Sequence, residues 1–367
     1  MSCSQSSNQT EPVKIGAIFA VTGPASFLGD PEAKTAQMLV DQINEAGGIK
    51  GRKIELIIKD SQGNPEKAIS FAKQLIEEDK VLAIIGPSTS GETMKIKNIC
   101  EEAGTILISC AAAEVIVDPV AKYVFKTPQK DSQAAQKIFQ TLKAMGISKI
   151  GVVSGNTGFG NAGKAQLEEL APEYGIEIAI SEVYDKKATD LTDVLTKLKA
   201  KDVGAVVNWS IVPAQSIVAK NMKQIGLDVP LFQSHGFGNV KYAQEAGEAG
   251  EGIIFPCGRL LVADKLPEDH PQKSLLVSYK TDYETKFGED VSTFGGHAYD
   301  AVLILRTAME KAGFEKEAVR EAIENTTGLV GTAGVFNFSP EDHNGISIEG
   351  FETLTVEDGK FVLHEGA

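Results

Sequence analysis

The chain is poor in the residues that build metal centres, catalytic dyads and membrane spans. Its four cysteines, Cys3, Cys100, Cys110 and Cys257, show no metal-ligand spacing such as C-x₂-C. Cys100, Cys110 and Cys257 suit buried apolar positions better than ligand positions, and spacing alone assigns them no pairing. Histidine is equally scarce. His235, His270, His297, His343 and His364 are the only five, none pair at i, i+4, and no carboxylate accompanies them at zinc spacing. No run approaches the ~18 consecutive apolar residues of a bilayer span. Positive charge is in deficit, with 36 Lys and Arg against 50 Asp and Glu and a net charge of −14. Such a chain has no electrostatic footprint for nucleic acid or an anionic membrane. No G-x-S-x-G elbow occurs, and Ser88, Ser90 and Ser109 have no base identifiable in sequence. The segment Gly158-Phe159-Gly160-Asn161-Ala162-Gly163-Lys164-Ala165 is one residue short of a phosphate loop. Ala165 stands where a Ser or Thr hydroxyl would hold magnesium. Catalytic residues, metal and cofactor are therefore all expected to be absent.

What is present points to a folded, two-part protein. Hydrophobic residues make up 42% and charged residues 23% of 367, enough for a sizeable core and suited to about two domains of ~100–200 residues. At the start, Cys3 heads the polar stretch Ser4-Gln5-Ser6-Ser7-Asn8-Gln9-Thr10, so residues 1–12 read as a tether. This resembles the lipid-bearing cysteine of a bacterial lipoprotein after signal-peptide removal. Short β-type runs at 13–21, 53–61, 81–86 and 105–110 then alternate with helical patterns at 31–46 and 92–103. A second series, at 149–154, 176–184, 204–209 and 229–233, echoes the first. Lys14-Ile15-Gly16 opens a strand ending at Thr22-Gly23-Pro24, and Lys149-Ile150-Gly151 opens one ending at Gly155-Asn156-Thr157-Gly158. The pattern predicts an α/β protein of two doubly wound parallel-sheet lobes. In such sheets ligands sit outside the carboxyl ends of the strands, which places one cleft between the lobes.

The strand-end loops are the richest in polar chemistry. Ile85-Gly86-Pro87-Ser88-Thr89-Ser90-Gly91-Glu92 puts hydroxyls and N–H groups at a helix start, where a carboxylate is favoured. Ser109-Cys110-Ala111-Ala112-Ala113 supplies a second strand end with small side chains. Ordinary helix capping explains the same residues.

Together with Asn44-Glu45-Ala46-Gly47-Gly48-Ile49, Gly51-Arg52-Lys53 and Tyr299-Asp300-Ala301, these segments resemble the periplasmic leucine/isoleucine/valine-binding protein family, receptors of branched-chain amino acid ABC transporters. The resemblance covers nearly everything from Val13 to Val362. It implies a type I periplasmic binding fold, with lobe 1 at 13–126 and 257–335 and lobe 2 at 127–256 and 336–367. Three crossovers near 125–128, 255–258 and 334–337 would join them. It carries the carboxylate-binding serine onto Ser90, its backbone companion onto Ala111 and the side-chain wall onto Phe27 and Leu28. The cleft aromatics fall on Phe159 and Phe294. Three positions depart from the family: Ala113 replaces a threonine, Ile211 a tyrosine, and His235 the acid that answers the ligand's ammonium. The resemblance implies a monomeric, periplasmic or cell-surface receptor that hands a small hydrophobic carboxylate to an ABC permease; the Cys3 tether, where it is not an arbitrary start, would add a lipid anchor. That ligand is an amino acid of the branched-chain type or a related aliphatic or aromatic acid, and the loss of the acid favours one without an ammonium. The alternative is a sensor domain of the same fold serving a signalling partner.

Overall fold

In parallel sheets covered on both faces, strands read as continuous apolar runs, and those of this chain do. Ala83–Ile85, Ile106–Ser109 and Ala205–Trp209 are buried at every residue. The computed structural model describes residues 11–365; Cys3 and residues 1–10 of the expected tether lie outside them. The first series is β1 (Val13–Phe19), α1 (Ser26–Glu45), β2 (Ile54–Asp60), α2 (Pro65–Glu77), β3 (Ala83–Ile85), α3 (Ser90–Glu102), β4 (Ile106–Ser109) and β5 (Val124–Lys126). Its strands form a parallel five-stranded sheet in the order β2-β1-β3-β4-β5. The second comprises α4 (Asp131–Ala144), β6 (Lys149–Gly155), α5 (Gly158–Leu170), β7 (Glu177–Tyr184), α6 (Thr192–Lys199), β8 (Ala205–Trp209), α7 (Ala214–Gln224), β9 (Leu231–Gln233), α8 (Val240–Ala246) and β10 (Ile254–Gly258). After it come α9 (Lys273–Phe287), α10 (Thr293–Ala312), α11 (Lys316–Glu324), the small hairpin β11 (Leu329–Val330) and β12 (Val335–Phe336), then β13 (Phe351–Glu357) and β14 (Lys360–Leu363). The second sheet runs β14-β13-β10-β9-β8-β6-β7, parallel except for its two last-formed strands. Asp358 and Gly359 turn that final hairpin with φ of 50° and 69°, the paired positive values of a tight β-turn.

Each sheet has its own core. Ala298, Ala301, Val302 and Leu305 of α10 pack with Ala36 and Val40 of α1 on the first sheet. Phe139, Leu167, Trp209 and Phe255 fill the second. The passage expected at 334–337 falls on β12, whose Phe336 is buried in the first core with Phe338 and Ile346. The chain thus enters the second sheet for the last time at β13. Asp300 is structural: its carboxylate accepts from Thr332 N–H (2.6 Å), Thr332 Oγ1 (2.9 Å) and Ala333 N–H (2.9 Å), tying α10 to the β11–β12 turn.

Helix α1 starts before the expected residue 31. Pro31 therefore lies inside the helix. Proline cannot donate to the carbonyl four residues back, which here is that of Phe27. That carbonyl instead accepts from Asn239 Nδ2 at 3.0 Å, a side chain from the other lobe.

Candidate ligand-binding site

The carboxyl ends of β1, β3 and β4 face those of β6, β8 and β9 across the molecule. Their loops converge on a narrow cavity of about 20 Å³, roughly the room one water needs. Leu28, Ser88, Ser90, Cys110, Ala111, Ala112, Phe294 and His297 line it from one side, and Pro128, Phe159, Ile211, His235 and Gly236 from the other. Seven of the nine anticipated residues therefore meet here. Phe27 and Ala113 do not line it. Phe27 instead packs edge-on to Tyr242 with ring centroids 5.0 Å apart.

Local hydrogen bonds sort the serines. Thr89, not Ser90, caps α3, its Oγ1 accepting from Glu92 N–H. Ser90 is buried at the next position, and its Oγ accepts from Ala113 N–H at 3.2 Å. Its own hydroxyl proton remains available for a ligand oxygen. Ala113 thus acts through its backbone, bracing Ser90. Ser88 and Ser109 are spent on structure. Ser88 Oγ accepts from Ala20 N–H and donates to the buried carboxyl of Glu32. Ser109 Oγ accepts from Ala111 N–H and pairs with Thr93 Oγ1. Burial, with Glu92 nearby, pushes Glu32 well above the usual carboxylate range.

On the far wall, His235 is packed edge-on against Phe159, Trp209 and Phe351 at centroid distances of 5.2, 5.6 and 5.7 Å. Neither ring nitrogen has a hydrogen-bond partner. Burial, then the nearby Lys126, hold its pKa well below the ordinary value, so the imidazole is neutral. His297, pushed down to about 3 by burial, is neutral as well. The sequence reading missed His297 and Asp131. His297 could have been found, since it lies three residues after Phe294 on one helix face. Asp131 could not: it is fully buried at the first position of α4, and its Oδ1 lies 3.7 Å from His235 Nε2.

The phosphate-loop likeness dissolves at its glycines. A side chain on Gly158 would strike Gly91, one on Gly160 the carbonyl of Gly155 at 1.9 Å, and one on Gly163 the Trp209 indole at 2.0 Å. Lys164 pairs with Glu168 one turn on. Close packing accounts for all three glycines. Among the described residues no cluster of three or more His, Cys, Asp or Glu could hold a metal ion.

A model of the periplasmic binding proteins matches residues 12–349. The chain belongs to that family. This periplasmic binding protein is 28% identical over 323 residues to a leucine-, isoleucine-, valine-, threonine- and alanine-binding protein of Pseudomonas aeruginosa, covering 86% of this chain and 83% of the relative. An extracellular ligand-binding receptor from Rhodopseudomonas palustris superposes with a TM-score of 0.90 at 27% identity, covering 96% of this chain and 99% of the other. The branched-chain amino acid transporter substrate-binding protein LivJ of Streptococcus pneumoniae, solved with isoleucine, gives 0.85 at 27% identity over 96% and 98%. The two-lobed type I fold is thereby shown, and the protein is a solute-binding protein rather than an enzyme. No helix among the described residues is long and apolar enough to cross a membrane.

Proposed function

We propose that this binding protein is the extracytoplasmic receptor of an ABC importer, and that it closes on a small hydrophobic carboxylate between its lobes. The observation that carries this reading is Ser90. Its hydroxyl, free to donate because Thr89 caps the helix, sits at the N-terminus of α3 on the wall of a cavity to which Leu28, Phe159, Ile211 and Phe294 give apolar surface. A carboxylate there would receive the hydroxyl and the positive end of the helix dipole, while its apolar tail meets the rings opposite. The relatives' leucine, isoleucine and valine belong to this class. Calorimetric titration with leucine, 2-oxo-4-methylpentanoate and benzoate tests it. At least one should bind, and silence from all three would refute the carboxylate reading.

A further inference from the structure

Two buried groups beside the cavity are left without hydrogen bonds. Asp131 opens α4, yet its carboxylate does not serve that helix. Gln133 Oε1 takes the Lys130 N–H at 3.2 Å, and neither Asp131 oxygen has a partner. The Glu114 backbone N–H turns toward Asp131 but stays outside hydrogen-bond geometry. His235, on the cavity wall, also lacks a partner at both nitrogens, and three aromatic rings hold it in place. Burying such groups unpaired is costly, and the cost falls when a ligand or a small movement pairs them. The 3.7 Å between Nε2 and Oδ1 is ion-pair range, a side-chain rotation short of a hydrogen bond.

We propose that Asp131 is a positioning residue that sets the ligand's headgroup: by accepting His235 Nε2–H it leaves Nδ1 as an acceptor, so the cleft selects carboxylates carrying a donor, an ammonium or a hydroxyl, beside the carboxylate. This rests on the carboxylate reading of Ser90 above. It reverses what His235 suggests on its own. A neutral imidazole cannot answer an ammonium, but an imidazole backed by a carboxylate can. The charges nearby agree. Lys126, whose ammonium donates to the carbonyls of Pro128 (2.6 Å) and Gln129 (3.0 Å), balances Asp131 from the end of β5. Glu114, Lys130 and Asp342 lie further around the pair, and His297 faces it from α10. Two lysines stand against three acids here, so the named groups already carry an excess formal negative charge; a zwitterionic headgroup adds none to it, whereas a bare carboxylate adds one more.

Burial pushes the Asp131 carboxyl up and the Lys126 ammonium down, each opposed by the other's charge. Loss of either proton makes the site more negative, so leucine affinity should rise with pH across the neutral range. The test compares leucine, 2-hydroxy-4-methylpentanoate and 2-oxo-4-methylpentanoate in the parent and in Asp131→Asn. The asparagine amide donates to Nε2, moves the ring proton to Nδ1 and turns an acceptor into a donor. The leucine-to-oxo-acid affinity ratio should fall by at least about tenfold, and leucine's pH dependence between about 5.5 and 8 should flatten. Nitrogen-15 imidazole shifts of the parent, which need no variant, should report the Nε2–H tautomer at about pH 8. An Nδ1–H tautomer there, or an unchanged ratio in Asp131→Asn, overturns the proposal. Binding of none of the acids instead overturns the carboxylate reading.

Discussion

Gly91 and Gly158, the second residue of α3 and the first of α5, meet across the cleft, and they make closure testable with two near-identical substitutions. A Cβ built on Gly158 would lie 2.8 Å from Gly91 N and 2.9 Å from Gly91 Cα. That is at least 0.6 Å inside the roughly 3.5 Å carbon–carbon optimum, and the obstacle is backbone. A Cβ on Gly91 finds Gly158 N at 3.9 Å, ordinary contact. Neither glycine has positive φ, so alanine fits both backbones. Alanine should even favour α5 by up to about 1 kcal/mol. Gly158→Ala should therefore leave the free protein's melting temperature unchanged or raised, yet cost closure about 1–3 kcal/mol, as overpacking does. That converts to roughly 5- to 150-fold weaker binding. Gly91→Ala should bind as the parent does. The assay is calorimetry with whichever of the three acids binds the parent, run beside a ligand-free melt. Parental affinity in Gly158→Ala would refute the view that α3 and α5 close against each other on the ligand.

Ser90→Ala should weaken carboxylate binding by about 1–3 kcal/mol, the range for a hydrogen bond to a charged group. Thr89 still caps α3, but the variant also strands the buried Ala113 N–H, so its ligand-free melt should fall and the affinity loss is read against that control. Asn239→Ala should loosen the clamp on the Phe27 carbonyl. Small-angle scattering should then show less compaction on ligand addition, and full compaction would argue against a latch. Asp300→Ala strands two backbone N–H groups and a hydroxyl in the core and should cost at least about 3 kcal/mol in a denaturant titration. In a Cys3→Ser variant no thiol should label under native conditions, since Cys100, Cys110 and Cys257 are buried and burial pushes all three thiols up, Cys100 to about 12. All three should label in denaturant.

The architecture was legible because it is written in local patterns. Apolar runs of strand length, helical spacing between them and two strand openings of Lys-Ile-Gly led directly to two doubly wound sheets. The residues alone showed a hydroxyl cluster after a buried strand, which marks a helix start; it was the family resemblance that singled out Ser90. The pattern could not say that Thr89 would take the capping role, and that detail decides whether Ser90 has a proton to spare. The third passage between sheets was misplaced because Phe336 and Phe338 are equally apolar in either lobe; which core buries them depends on contacts with α10 and α11. The His235 reading was incomplete because its partner is distant in sequence. No local period links the start of α4 to the loop after β9, and only the fold sets Asp131 behind the imidazole.

Under the carboxylate reading proposed above, the same geometry ties closure to holding an anion. α3 and α5 point their N-termini at one another, and each end carries roughly half a positive charge. Their caps, Thr89 Oγ1 and Thr157 Oγ1, accept from Glu92 and Gly160 N–H and so satisfy individual donors without removing the dipoles. Brought together in a low-dielectric cleft, two such ends repel. A carboxylate seated at Ser90 reverses the sign of that interaction for both helices at once. On that reading the closed arrangement should bind the anion better than the open one, and by linkage the anion should favour closure by the same free energy. A hydrophobic ligand without a carboxylate would fill the apolar wall of Phe159, Ile211 and Phe294 and still leave the two helix ends opposed, which is why the carboxylate, more than the side chain, should govern closure.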